Sequence, residues 1–512
     1  MRVLTDSFGG AELTQAFVAG TAPAEWYPGL AKASGSQAFL ANHARDVAAE
    51  FAGRDWLPPL VPAFGSNSSS PARDRLNRAA RDGIVITTGQ QPGLFGGPMY
   101  TLSKALTVLA LADELEERTG LAVAPVFWGA TDDADFAESS SIVIPVSDGA
   151  VEIRVEKRDD LQRPLANEPL PDTAAALDEF LRGVGSSSNA SIVDLVKLSY
   201  AGKVLVGEAY LELLRGILEP LGISVLDAAH PAVRSAGHSV LRNALANADR
   251  VAAALSKRNI EIRAAGYKVQ VKEVKGRSLA FRYSNEAKER IPVAQAASVA
   301  REVKPGDLSA TVLLRPVMER AILPTAAYVA GPAEVGYFAQ VSAVADAIDA
   351  KQPIVVPRWS GTVIEPRVDR ILNRYKLEPK DFADPHALEG KKARESIPDS
   401  LRALIARMRS ATSDTGYRVE SKGEALLSEA VQTGLQRDIG HRLDRFERRA
   451  AAAVKRQGTQ ELRDIQAARA SLYPLGKPQE RGVSFVALLA RYGSELQSQM
   501  LDAARIHARN LL

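Results

Sequence analysis

The stretch TTGQQPGLFGGPMYTLSKAL, Thr87–Leu106, decides the reading of this chain. It sets four glycines, two prolines and two glutamines between two apolar runs of different period. Before it, GIVITTG is a β-branched run that fits a buried strand; PMYTLSKALTVLALADELEERTG, which overlaps its end, has helical spacing. LAVAPVFWGA then supplies a second buried strand, which makes a βαβ unit and predicts a parallel sheet in an α/β fold. Pro98 suits the first helical position, where its missing N–H costs nothing, and Gly120 stands where a C-terminal cap belongs. Leu102, Leu106 and Leu109 share one face, and Val108, Leu111 and Leu115 widen it. So broad a stripe predicts burial against both a sheet and a neighbouring helix.

The same grammar returns from Leu323, where LPTAAYVAGPAEVGYFAQVSAVADAI reads as strand, Gly331-Pro332, helix, and PIVVPRW adds a further short strand. Strands are also expected at GISVLDAA near Val225 and in a hairpin, YKVQVKEVKGRSLAFRY, from Tyr267. Residues 1–80 read as short helices and loops packing on the core, with LPPLVPAFGSNSSSPA from Leu57 as a surface crossing. The core is placed at 81–365, with connecting segments inserted at about 145–225 and 265–310. From about Pro366 the pattern turns long-helical: Val431, Leu435, Ile439, Leu443, Phe446 and Ala450 recur every three or four residues among Arg, Asp and Glu. That spacing predicts an antiparallel coiled-coil arm over 366–470, with helices at about 366–378, 399–410 and 421–470, before a segment, 471–512, that returns to the core.

With 512 residues, 46% of them hydrophobic, the chain has material for two or three structural units. Lys plus Arg exceed Asp plus Glu by only 64 to 61, which is not the strong basic bias of a nucleic-acid binder. There is no cysteine, so disulfides, thiolate–metal sites and a cysteine nucleophile are excluded together. The six histidines, at 43, 230, 238, 386, 441 and 507, have no metal-ligand spacing, so zinc is not expected. Neither a leader peptide nor a membrane span of roughly 18 apolar residues is visible, and a cytoplasmic, membrane-free protein is expected.

A loop at the carboxyl end of a parallel strand lies where α/β proteins bind ligands, and the helix after it offers N–H groups and a positive dipole end. Glycines there let an anion approach the backbone. Gly89, Gln90, Gln91, Gly93, Gly96 and Gly97 are therefore candidate anion or nucleotide contacts, with Lys104 as a countercharge; a tight turn is the plain alternative. The loop is neither a Walker loop nor GxGxxG. The next strand ends in WGATDDADFAE, which places Asp132, Asp133, Asp135 and Glu138 on the adjoining loop, as holders of an ammonium group or Mg²⁺, as proton acceptors, or merely as a solvated acidic turn. Arg315 and Arg358 stand near predicted strand ends as candidate anion holders, Glu334 as a helix-start carboxylate, and Gln479 and Arg481 in the short PQER motif.

Taken together, TTGQQPGLFGGPMYTLSKAL, PVFWGATDDADFAE, LRPVMERAILPTAAYVAGPAEVGYFAQ, VVPRWSGTVIE and LYPLGKPQERGVS resemble the BshC family, the cysteine-adding ligases of bacillithiol biosynthesis, in order from about residue 80 to the C-terminus. The resemblance implies a Rossmann-like core related to nucleotidyltransferases and class I aminoacyl-tRNA synthetases, and a C-terminal coiled coil that makes a homodimer. It also implies joining of L-cysteine to glucosaminyl malate, with ATP or ADP and Mg²⁺ as the expected cofactors. On it, Lys104, Asp133 and Asp135 are the catalytic candidates, and Tyr328, Gly331 and Glu334 join the binding set with Asp132, Arg315, Arg358, Gln479 and Arg481. Two positions depart from the family pattern: Ser103 and Ala134 stand where members usually carry histidine. The HIGH and KMSKS motifs of a synthetase are absent.

Overall fold

A computed structural model describes residues 1–28, 39–65, 70–146, 149–185, 189–203, 205–283, 287–384, 387–413, 420–421, 424–425, 429–457 and 460–512. His386, part of the 57–72 passage and parts of the expected 421–470 helix lie outside them. The chain divides into two compact units. One comprises Met1–Ile144, Val151–Val363 and Glu480–Leu512, the other Pro145–Ala150 and Ile364–Gln479.

The first unit is built on five parallel strands: β1 (Ile84–Gln90), β2 (Val123–Gly129), β3 (Ser224–Asp227), β4 (Thr325–Ala330) and β5 (Ile354–Pro357). Their order across the sheet is β5-β4-β1-β2-β3. β1 and β2 run in register from Ile84 opposite Val123 to Gln90 opposite Gly129, and Tyr328 of β4 lies opposite Thr87. Helix α1 (Met99–Thr119) connects β1 to β2, and α2 (Pro332–Ala347) connects β4 to β5. Strand order therefore reverses between β1 and β4. At such a switch point the two connections leave on opposite faces and a crevice opens beyond the strands' carboxyl ends.

Burial follows the apolar patterning of the elements. Helix α1 is buried on nearly every side, because the C-terminal helix α3 (Phe485–Leu511) packs along it on the face away from the sheet. Gly120 ends α1 in the left-handed conformation that suits glycine. Pro98, expected as the first helical residue, is instead the cap. LPPLVPAFGSNSSSPA is not a plain surface crossing: Pro58–Phe64 forms a 3₁₀ turn that buries Leu60, Ala63 and Phe64.

The hairpin expected from Tyr267 forms only in its second arm, Arg277–Tyr283, which pairs with Lys288–Pro292 and Leu308–Ala310. Its first arm is claimed elsewhere. The buried Gln340 amide accepts from Val271 N–H (3.0 Å) and donates to Val271 C=O (2.8 Å), occupying the groups a strand partner would need. Residues 1–80 contain a strand that local pattern did not show, Arg2–Thr5, paired with Gly361–Ile364.

The second unit is mostly helical: Pro366–Tyr375, Ala387–Glu395, Asp399–Ser413, Glu429–Gln457 and Gln460–Leu472. Asp399–Ser413 and Ala387–Glu395 both pack on Glu429–Gln457. A small core gathers Ala393, Ile397, Ala451, Val454 and Leu462, and Arg409 pairs with Asp444 and Glu447, each at 2.7 Å. Within the expected helix over 421–470, the described helical residues are Glu429–Gln457 and Gln460–Leu472. Glu420–Ser421 and Glu424–Ala425 pair as short antiparallel strands instead. No described helix is long and apolar enough to cross a membrane.

Candidate functional site

The crevice between β1 and β4 gathers three buried cations, each already paired with a carboxylate. Lys104, one turn inside α1, extends its Nζ back to the end of β1. There it donates to Gly89 C=O (2.8 Å) and Gln90 Oε1 (3.1 Å) and meets Glu334 Oε2 at 2.5 Å. Its three N–H bonds are thereby spent. Burial lowers the proton affinity of Lys104, opposed by the Glu334 charge. Burial would raise Glu334, but the Lys104 ammonium and hydrogen bonds from Lys104, Tyr328 (2.7 Å) and Gly331 N–H (2.6 Å) outweigh it and hold that carboxylate below its ordinary range. Glu334 is the third residue of α2, so closing back on Gly331 N–H makes half a capping box; glycine has no side chain to complete it.

Behind this pair, Arg315 donates to Tyr328 OH (3.0 Å), Tyr337 OH (3.3 Å) and Glu319 Oε2 (3.2 Å). Glu319 is fully buried and also accepts from Thr87 Oγ1. Burial pushes its carboxyl up to about 7, against the pull of Arg315 and Thr87. A continuous chain thus runs from Thr87 through Glu319, Arg315, Tyr328 and Glu334 to Lys104.

Arg358 follows β5, its N–H held by Ala330 C=O (2.9 Å) at the end of β4. Both its Nη atoms are engaged: Glu480 takes them bidentately at 2.8 Å each, and Nη1 also reaches Ser360 Oγ and Trp359 C=O. Its Nε is buried without a hydrogen-bond partner.

The four loop glycines have packing reasons of their own, which corrects the expectation that ligand approach alone explains them. A Cβ on Gly93 would lie 2.7 Å from Gly97 Cα, and one on Gly96 would lie 2.7 Å from Val486 and 2.8 Å from Phe485 of α3. Gly96 and Gly97 also need positive φ. A Cβ on Gly89 would press on the Trp128 backbone at 3.1 Å. The N-terminus of α1 is not an open anion site either: Met99 N–H bonds to Val483 C=O (2.8 Å), and Pro98 and Ser484 form a bridge. The chain's own C-terminal segment covers it.

The acidic residues form a neighbouring loop. Asp132 pairs with Lys288 (3.2 Å). Asp133 Oδ1 accepts from the N–H groups of Ala134 (2.6 Å) and Asp135 (3.2 Å), and desolvation in the loop, then the Asp132 charge, raise its proton affinity. Asp135 caps the four-residue helix Phe136–Ser139 by accepting from Glu138 N–H (3.1 Å). Asp133, Ala134 and Asp135 border a cleft of about 590 Å³ with Phe136, Arg154 and Lys157. Tyr100 ties this loop to the crevice, lying 3.3 Å from Gln90 Nε2 and 3.5 Å from Glu138. Among the described residues no group of three or more acidic, histidine or cysteine side chains could hold a metal ion.

The structure therefore brings together Gly89, Gln90, Lys104, Arg315, Tyr328, Gly331, Glu334 and Arg358, with Asp132, Asp133 and Asp135 on the next loop. Gln91 is half-buried beside them. Gln479 belongs to the second unit and donates to Ser471 C=O (3.0 Å), whereas Arg481 is an exposed residue of the first. Sequence reasoning missed Glu480, Glu319, Tyr337, Tyr100 and Lys288. Two of these carried a signal: Glu480 is the middle of the noted Gln-Glu-Arg, and Tyr337 follows Glu334 by three, one helical turn along the same face.

A five-stranded parallel sheet with this reversal and a polar crevice at its switch point is a Rossmann-like α/β protein. The model for "Bacillithiol biosynthesis BshC, N-terminal Rossmann-like domain" matches residues 66–359, and that for its C-terminal coiled-coil domain matches residues 361–510. The chain belongs to the BshC family. It is 31% identical over 462 residues to a Solibacter usitatus protein named "Putative cysteine ligase BshC", with 86% of each chain covered. Proteins of the same name from Koribacter versatilis (31% over 460 residues, 85% of each) and Heliobacterium modesticaldum (32% over 471 residues, 85% and 84%) are similar to it.

Proposed function

We propose that this protein is an ATP-dependent ligase that joins the carboxyl group of cysteine to the amine of glucosaminyl malate in bacillithiol biosynthesis, as a cytoplasmic homodimer. Family membership and the charged crevice at the β1/β4 switch point support this reading. A free carboxylate does not form an amide in water without activation, and ATP supplies the phosphoryl or adenylyl group that turns its oxygen into a leaving group. The protein's share is positioning and electrostatics. Lys104, held by Glu334, fixes the carbonyl-lined end of β1, and Arg358 faces the anionic part of a substrate. Asp133 and Asp135, on the adjoining loop, attract the amine or the Mg²⁺ that accompanies ATP; such an ion keeps waters and phosphate oxygens and needs only one or two carboxylates. The unpartnered Arg358 Nε fits an anionic substrate, and it is the observation that carries this assignment.

A second reading is an altered homologue that binds a nucleotide or small anion without turnover. Ser103 favours it: the side chain is fully buried and its hydroxyl donates back to Met99 C=O (3.3 Å), so it offers the crevice no acid–base group. Incubation of purified protein with cysteine, glucosaminyl malate and Mg-ATP, followed by mass spectrometry, separates the two. An ATP-dependent product with the mass of the amide supports the ligase; saturable ligand binding with no product supports the second reading.

A further inference from the structure

The backbone conformation of Gly331 does not require glycine. Its φ of −79° and ψ of 172° suit any residue. A Cβ on it would meet no backbone, unlike one on Gly89 or Gly93: its nearest neighbours are Glu334 Oε2 at 3.2 Å, Lys104 Cε at 3.6 Å and Arg358 Nε at 3.8 Å. The missing methyl leaves a niche at the start of the 16-residue helix α2, where the dipole end is positive. Into it faces the Nε of Arg358, a side chain 2% exposed whose remaining nitrogens are taken by Glu480, Ser360 and Trp359. A buried guanidinium N–H without a partner is costly and is rarely left so. The one unfavourable neighbour, Glu334 Oε2, is neutralised by Lys104 at 2.5 Å.

We infer that the niche over Gly331 is the anion-recognition point of the crevice, where one carboxylate or phosphoryl oxygen of a ligand accepts from Arg358 Nε while Glu480 keeps the opposite edge of the guanidinium. The alternative anion holder, Arg315, has both Nη atoms engaged by Glu319 and two tyrosines. A lysine at 358 would carry the charge but not the directed N–H, so arginine's planar fork is the feature in use. The inference rests on reading the crevice as the substrate site, and deepens it by assigning which group of the ligand binds where.

Isothermal titration of the full-length protein with L-malate and, separately, with inorganic pyrophosphate tells a carboxylate from a phosphoryl source. Wild type should bind one of the two. Gly331→Ala, whose Cβ would stand 3.2 Å from Glu334 Oε2, fills the niche and should weaken that binding at least about tenfold, with its melting temperature without ligand reporting any strain on the Lys104–Glu334 pair. Arg358→Lys should weaken it similarly, and decides the matter if the alanine variant does not fold. Binding of neither probe, or equal binding by wild type and both variants, overturns the assignment. Product formation by Gly331→Ala with unchanged KM for every substrate would remove the niche and leave the ligase reading standing. Probe binding that the variants abolish, in a protein that makes no product, would do the reverse.

Discussion

Replacing Glu319 by glutamine should make the first unit more stable as pH rises above about 4.5, with the gain levelling off above about 7. Glu319 is enclosed on all sides, and burial lifts it from its ordinary 4.5 to about 7. The folded protein therefore holds this proton more tightly than the unfolded chain does. Stability from this group is fully present below about pH 4.5 and is lost as pH rises through about 7. The difference, about 2.5 pH units at roughly 1.4 kcal/mol per unit, comes to about 3 kcal/mol. Glutamine is nearly isosteric with the protonated acid and can still accept from Arg315. The variant should match wild type near pH 4 and exceed it by about 3 kcal/mol near pH 8, every other titrating group cancelling in the comparison. Urea unfolding followed by tryptophan fluorescence measures this in the right place, because all four tryptophans, at 26, 56, 128 and 359, are buried in the first unit. A stability gap that does not change between the two pH values, or a variant less stable at the higher one, would refute the reasoning.

Gly93→Ala should destabilise the same unit by about 1–3 kcal/mol, since its Cβ would stand 2.7 Å from Gly97 Cα and neither backbone can yield freely; the same urea series checks it. Lys104→Met leaves Glu334 buried without its ammonium partner, and a loss of about 3–5 kcal/mol is expected, visible as a lowered melting temperature. In the second unit, Leu404, Met408, Val431, Leu435 and Phe446 are exposed. If the proposed homodimer forms through the arm, full-length protein should sediment as a dimer at micromolar concentration and Leu435→Glu with Phe446→Glu as a monomer. A wild-type monomer would dispose of that proposal.

What the sequence determined by itself was local. The β-branched run before Gly89, the broad apolar stripe of α1, the left-handed glycine at 120 and the repeat of strand, Gly-Pro and helix at Leu323 each depend on neighbours within a turn or two. They were enough for a parallel sheet, for placing Gly331 at a strand end, and for placing Lys104 and Glu334 in the helices that follow. The coiled-coil spacing likewise predicted helices, although the helix expected from 421 overlapped the short strands at 420–421 and 424–425, because apolar period does not report where a helix begins. Tertiary structure decided everything that joins distant segments. Arg358 meets Glu480 across 122 residues, Lys288 meets Asp132 across 156, and Tyr200 OH takes the Phe95 N–H across 105. The glycine-rich loop shows why this matters. Read alone, four glycines before a helix offer bare backbone to a ligand; in the fold, α3 and the opposite side of the loop fill that space. The unfilled niche is at Gly331, which its sequence context did not distinguish from any glycine before a helix. Hydrophobic period encodes which face of an element is buried, but which distant chain then lies on that face depends on how the whole sheet packs.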